Sequence, residues 1–166
     1  VSGVPGPTGV GTLRVDLLDD TVHLYAPDSV ASVSGRLYGL TNQGVVAVTA
    51  SGAEIVSRAI EQDLFQYFGP TLATVRTASF GVGHETDRLY VLEMPPLSGG
   101  SSPYDVARAY VYSTIAHAWT NWEVARKWAV VQASDDTFYL GGYGTTAVYE
   151  QRNTKTAADF ADGTTA

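Results

Sequence analysis

Three histidines, His23, His84 and His117, are the only imidazoles in the chain and the first candidates for acid–base chemistry. His84-Glu85 follows shortly after Ser79, so a Ser/His/acid relay can be drawn on paper. A nucleophilic serine of that kind sits on a sharp strand-to-helix elbow, and no Gly-x-Ser-x-Gly surrounds Ser79. The histidines are not spaced as metal ligands and HExxH is absent. They read as surface or hydrogen-bonded loop residues. With no cysteine, thiolate nucleophiles, disulfides and thiolate metal sites are excluded.

The other chemically suggestive residues also read as structure. Trp119 and Trp122 are three apart on one predicted strand, so their rings point to opposite faces and cannot form one sugar-stacking platform. Together with Trp128 they are expected to pack between sheets. Trp119-Thr120 invites comparison with sialidase-type propellers, but the Ser-x-Asp-x-Gly-x-Thr-Trp box is missing, as is an arginine cluster for a substrate carboxylate. Asp19-Asp20 and Asp135-Asp136 fall where hairpins turn, where an aspartate bonds nearby amides. Calcium needs several oxygens at a set spacing, which adjacent pairs do not supply. Gly81-Val82-Gly83 and Gly141-Gly142-Tyr143-Gly144 neither open a helix nor precede Lys-Ser/Thr, so they read as bulges and tight connections rather than phosphate cradles. No catalytic, cofactor-binding or metal-binding residue is assigned, and an enzyme is not expected.

The elements that would hold these residues follow from composition and periodicity. The 166 residues are 45% hydrophobic and only 16% charged, with 17 Gly and 10 Tyr, which favours short strands and tight turns. Net charge is −7, with ten basic residues scattered among seventeen acidic ones. Tight nucleic-acid binding needs clustered Lys and Arg and is not expected on that ground. No apolar run is long enough to cross a bilayer as a helix, and no leader resembles a signal peptide. Val1 in place of an initiator Met is what a processed, trimmed or partial product would show.

Residues 1–11 hold three Gly-X-Y triplets and read as a Gly/Pro-rich arm or linker. Residues 12–34 read as a hairpin and connection, with Leu13, Val15 and Leu17 alternating before Asp19-Asp20, and Val22 and Leu24 after it. Residues 35–68 form a partial sheet module with strands at 36–40, 45–49 and 55–57, then a short helix at 59–68 built on Ile60, Leu64, Phe65 and Phe68 and stopped by Gly69-Pro70. Residues 71–125 form a complete module with strands at 72–80, 89–93, 107–112 and 118–124, and a loop at 95–103. Residues 126–166 begin another, with strands at 127–133, 137–140 and 146–150 and a fourth near 159–166.

A triplet marks the modules: Arg36-Leu37-Tyr38, Arg88-Leu89-Tyr90 and, more weakly, Thr137-Phe138-Tyr139. Strand-built units recurring every ~40–50 residues predict an all-β fold, a partial β-propeller of four-stranded antiparallel blades with one short helix. A closed propeller takes ~4–8 blades, so this chain is expected to be a segment of a longer polypeptide or to be completed by other chains.

The run from Arg36-Leu37-Tyr38-Gly39-Leu40-Thr41-Asn42-Gln43-Gly44-Val45 to Ile55-Val56-Ser57-Arg58-Ala59-Ile60-Glu61-Gln62-Asp63-Leu64 resembles the tail nozzle (tail tubular or stabilisation) proteins of short-tailed bacteriophages. Similar texture returns in Ala109-Tyr110-Val111-Tyr112, Ala118-Trp119-Thr120-Asn121-Trp122-Glu123, Asp136-Thr137-Phe138-Tyr139-Leu140-Gly141-Gly142 and Ala147-Val148-Tyr149-Glu150-Gln151-Arg152. The closing Ala158-Asp159-Phe160-Ala161-Asp162-Gly163 is similar to the acidic turn that precedes a further strand in such proteins. The resemblance spans residues 36–166 and rests on strand order. It implies a structural virion protein of the tail, a propeller-bearing subunit in a ring of its own copies, six-fold by resemblance. Such a ring extends the portal and adaptor and walls the channel through which DNA is ejected without specific binding; no membrane and no cofactor are implied. The alternative is a tail-associated propeller that recognises a receptor or glycan through its loops.

Overall fold

The computed structural model describes residues 2–5, 11–14, 20–69, 72–97, 107–122, 126–132, 134, 136–142 and 148–151. Two strands, β1 (Ser2–Pro5) and β2 (Gly11–Arg14), pair antiparallel at the start. Three sheets follow. Sheet I is β3 (Ala31–Val33), β4 (Arg36–Thr41), β5 (Gly44–Thr49) and β6 (Gly52–Ile55). Sheet II is β7 (Phe80–His84), β8 (Leu89–Met94), β9 (Arg108–Ser113) and β10 (Ala118–Trp122). Sheet III is β11 (Arg126–Gln132), β12 (Thr137–Gly142) and β13 (Val148–Gln151). Each is an antiparallel meander in which strands adjacent in sequence are adjacent in space. The first strands also lie side by side, β3 along β7 and β7 along β11.

Between sheets I and II, helix α1 (Glu61–Phe65) is continued on both sides by 3-10 turns, Arg58–Ile60 and Gln66–Phe68. The predicted helix at 59–68 is therefore present, but its buried side chains are Leu64 and Tyr67, while Phe65 is exposed. A second helix, α2 (Leu72–Ala78), replaces the strand predicted at 72–80. The β-branched Thr74, Val75 and Thr77 favour a strand by local propensity. In the fold Val75 and Ser79 bury together one turn apart, the Ser79 amide donates to the Val75 carbonyl, and the Thr77 hydroxyl bonds the Ala73 carbonyl. Tertiary burial outweighs a weak propensity.

Two apolar layers hold the sheets together. Tyr38, Leu40, Val45 and Ala47 of sheet I meet Tyr90, Leu92, Met94, Tyr110 and Tyr112 of sheet II, with Leu64 and Tyr67 packed alongside. Val91, Ala109 and Val111, on the opposite face of sheet II, meet Phe138 and Leu140 of sheet III. Alternation along β8 makes this possible: Tyr90 and Leu92 face one neighbour, Val91 the other. Sheet II thus reads as a continuous apolar run because both of its faces are covered.

The repeated triplet is real at the level of modules and slipped by one residue in register. The hairpins close on Val33↔Arg36, His84↔Leu89 and Gln132↔Thr137. Counted from those pairs, the equivalents are Leu37, Tyr90 and Phe138, not Tyr38, Tyr90 and Tyr139. One residue of slip reverses the face. Tyr38 and Tyr90 accordingly point at each other and stack, ring centroids 5.3 Å apart and 24° between planes.

Other expectations change as well. Sheet I begins at β3, inside the stretch expected to be a connection. Leu13 pairs with Gly3 rather than with the 22–24 segment, and Leu24 instead bridges Thr41. Gly81-Val82-Gly83 forms no bulge; it is regular strand β7. A Cβ on Gly81 would collide with the Ser29 carbonyl, and one on Gly83 with Ser32, so these glycines allow backbone to lie on backbone between sheets. Val15, Leu17, Asp19, Asp135, most of the 95–103 loop, Tyr143-Gly144 and the strand expected near 159–166 lie outside the described residues.

Candidate functional site

Polar side chains converge at the turns that follow the first strand of each sheet. Between β3 and β4 the two-residue loop Ser34-Gly35 has φ of 54° and 72°, a type I′ turn that projects its amides outward. The loops 85–88 and 133–136 each end on a residue with φ of 56°, Arg88 and Asp136. These turns stack in the order of the sheets and fasten one to the next.

In the first clasp the Ser34 amide donates to both carboxylate oxygens of Glu85, at 2.9 and 3.1 Å. Arg88 Nη1 donates to Ser34 Oγ at 3.0 Å, and that hydroxyl also lies 3.2 Å from Thr114 Oγ1. In the second clasp the Thr86 amide donates to Asp136 Oδ2 at 3.0 Å. The partners are 51 residues apart in the first case and 50 in the second, close to one module length. The same device occurs twice: an amide of one turn held by an acid from the next.

His84 belongs to the second clasp. Its Nε2 is 2.7 Å from the Asp136 carbonyl and 3.4 Å from Asp136 Oδ2, and its Nδ1 is 3.2 Å from Asp87 Oδ2. A carbonyl only accepts, so Nε2 carries hydrogen. The ring lies edge-on to Phe138, 6.1 Å between centroids, and its side chain is only 12% exposed. Hydrogen bonds from Thr86, with the nearby His84 adding to them, hold the Asp136 carboxyl below its usual range.

This geometry fastens one sheet to the next, and it does not bring Ser79, His84 and Glu85 together. Ser79 and His84 sit just before and at the far end of β7, roughly 16 Å apart at strand rise, and the Ser79 hydroxyl is buried against Met94 Sδ. Glu85 is committed to Ser34. No group of three or more His, Asp or Glu is placed to hold a metal among the described residues. His23 exchanges hydrogen bonds with Asn42, and His117 Nδ1 lies 3.1 Å from the Tyr112 hydroxyl.

The tryptophans divide as their spacing predicts. Trp119 joins the layer between sheets I and II and donates from Nε1 to the Val56 carbonyl at 2.8 Å, while Trp122 packs edge-on to Phe138 between sheets II and III. Trp128 does not fill a layer between described sheets; it lies over Gly141 and is 42% exposed. Burial pushes the phenols of Tyr38, Tyr90, Tyr110 and Tyr112 above their ordinary range, so all four are neutral hydrogen-bonding or packing groups at physiological pH.

Sequence reading singled out Asp136 and His84 but missed Ser34, Asp87, Arg88 and Thr114. The available signal was the recurrence of a polar turn at the module spacing, which the more conspicuous tyrosines masked. In comparisons with known proteins, the chain matches no family and no curated protein.

Proposed function

We propose that this chain is a structural component of a virion, the β-propeller part of a tail nozzle that walls the DNA ejection channel and holds the tail assembly together. The observation that carries the propeller reading is the side-by-side alignment of β3, β7 and β11, the first strands of successive meanders. In a propeller the first strands of the blades line the axis and the later strands run outward. Alternating faces of sheet II packed on both neighbours, and turn clasps repeated at one module length, support the same reading. The work assigned is mechanical, and the two turn clasps support it: each ties one sheet to the next.

The tail assignment rests on the resemblance of residues 36–166 to nozzle proteins. In that setting copies of the chain form a ring, six-fold by resemblance, against portal, adaptor and other tail proteins. The net charge of −7 suits a wall past which DNA phosphates slide without sticking. Labelling the chain in intact particles and imaging them tests the assignment. A ring of label around a central channel below the capsid is the expected result; label confined to the capsid shell, or a channel lined by Lys and Arg, overturns it.

A receptor- or glycan-binding propeller is the second reading, favoured by one feature. Residues 95–107 join β8 to β9, where the other strands of sheets I and II are joined by short turns. Long connections in compact domains are commonly functional. Loss of host-cell binding on shortening this connection would favour recognition over wall-building.

A further inference from the structure

Among the described residues, both outer faces of the three-sheet stack carry exposed apolar side chains. On the side of sheet I turned away from sheet II, Leu24, Val30 and Leu37 are 44%, 42% and 49% exposed. Leu24 and Val30 close over Gly39, and Val46, Ala53, Ile55 and Arg58 line an open cleft of about 260 Å³. On the side of sheet III turned away from sheet II, Trp128, Val130 and Val148 are 42%, 51% and 51% exposed. Register places Trp128, Gly141 and Val148 in one row and Val130, Tyr139 and Glu150 in the next.

We infer that these two faces are the halves of one contact, and that a second copy of this chain seats its sheet III face on the sheet I face of its neighbour. The argument is continuity. In both interfaces within the chain, a later sheet lays its near face on the far face of the sheet before it, with first strand beside first strand. The open face of sheet III is the kind that the next sheet covers in I and II. The open face of sheet I is the kind that does the covering. Joining them continues the series with its polarity unchanged.

Glu150 is exposed beside Val130 and Tyr139 on one face, and Arg58, which also pairs with Glu61 at 3.9 Å, lines the cleft on the other. Two different patches make the contact heterologous, so it closes a ring or grows a filament and does not form a self-complementary pair. The inference rests on the radial stacking proposed above and not on the tail assignment.

Sedimentation velocity of the whole 166-residue chain tests it, with Val130→Asp and Val148→Asp on one face and Leu37→Asp and Leu24→Asp on the other. The wild-type chain is expected to associate with a Kd at or below about 10 μM, and each variant at least about tenfold more weakly. The decisive arm is a mixture. Val130→Asp keeps an intact sheet I face and Leu37→Asp an intact sheet III face, so an equimolar mixture recovers a dimer that neither forms alone. A mixture that stays monomeric, variants that associate as well as wild type, or a wild-type chain monomeric at about 100 μM overturns the inference. Hydrogen exchange separates the two failures. Protected Ser34 and Thr86 amides, whose acceptors lie in the next sheet, leave the stack standing in a monomer and point to a further sheet of another chain as the occupant. Unprotected Ser34 and Thr86 amides remove the stack itself, and the inference with it.

Discussion

The layer between sheets I and II and the layer between sheets II and III join the same module by different means. The first is built on tyrosines: Tyr38, Tyr67, Tyr90, Tyr110 and Tyr112 are buried together, and the Tyr90 hydroxyl donates to the Ser29 carbonyl at 2.8 Å. Glycines on β7 bring backbone onto backbone there. The second is mostly aliphatic, with Phe138 its one fully buried aromatic, and a histidine–carboxylate clasp lies along its edge. Tyrosine fills a core well only where its hydroxyl finds an acceptor, so the first layer is demanding in shape and polarity. The second is expected to tolerate exchange within its core more readily.

The sharpest test of that difference is truncation at equivalent positions. Tyr90 and Phe138 are structural equivalents, each one residue past its hairpin closure. Tyr90→Ala is expected to cost about 4 kcal/mol, since it empties a fully enclosed site and strands the Ser29 carbonyl. Phe138→Ala should cost about 3 kcal/mol, because flexible aliphatic neighbours relax into the gap. Urea unfolding of both variants measures this, and equal losses would remove the distinction.

A smaller effect separates the two faces of one strand. Gly81→Ala drives a methyl group into the Ser29 backbone, which cannot rotate away as a side chain can, and should cost about 2–3 kcal/mol. Val82→Ala, on the opposite face toward sheet III, should cost about 1 kcal/mol. The inversion is diagnostic, since an added methyl would do more harm than two removed. Thermal melts of the pair decide it.

These positions also show what the sequence revealed. Short apolar runs bounded by turn residues located β4, β5, β8, β9, β10 and β12 closely, because both signals are local. The helix at 72–78 was hidden, since its β-branched residues prefer strands and only burial of Val75 against distant residues settles the matter. The triplet revealed the modules and misled on register: Tyr38 and Tyr90 are alike in sequence because they stack on one another, not because they are equivalent. The clasps were least legible. Ser34 and Glu85 are ordinary turn residues until two sheets bring them within 2.9 Å.

The tyrosine layer should also fail in alkali where the aliphatic one does not. Burial holds the Tyr90 and Tyr110 phenols above their ordinary value of 10.0. The unfolded chain therefore releases protons near pH 10 that the folded chain retains, and stability falls as pH rises through that value. Tyr90→Phe is expected to be less stable than wild type by about 1 kcal/mol at neutral pH, through loss of the bond to Ser29. Above about pH 10 the gap should narrow and then reverse, because phenylalanine has no proton to lose. Parallel pH curves for the two proteins would rule this out.

The mildest test concerns the clasp on the other layer and runs in the opposite direction on the pH axis. The folded Asp136 carboxyl titrates below its ordinary value of 3.8, chiefly through its hydrogen bonds from Thr86. A depressed carboxylate contributes stability that is present above the unfolded value and disappears as pH falls through the folded one. Asp136→Asn should therefore lie slightly below wild type at pH 7 and converge on it only in acid below pH 3.8, as pH falls through the folded value. The side chain is partly exposed, so the difference is small, and exchange of the Thr86 amide, which Asp136 holds directly, is the more sensitive reading. Faster exchange at Thr86 with unchanged exchange at Ser34 would assign the effect to the II/III clasp alone. A gap in stability that persists unchanged into acid would mean that the asparagine perturbs packing and that the carboxylate is not what fastens sheet II to sheet III.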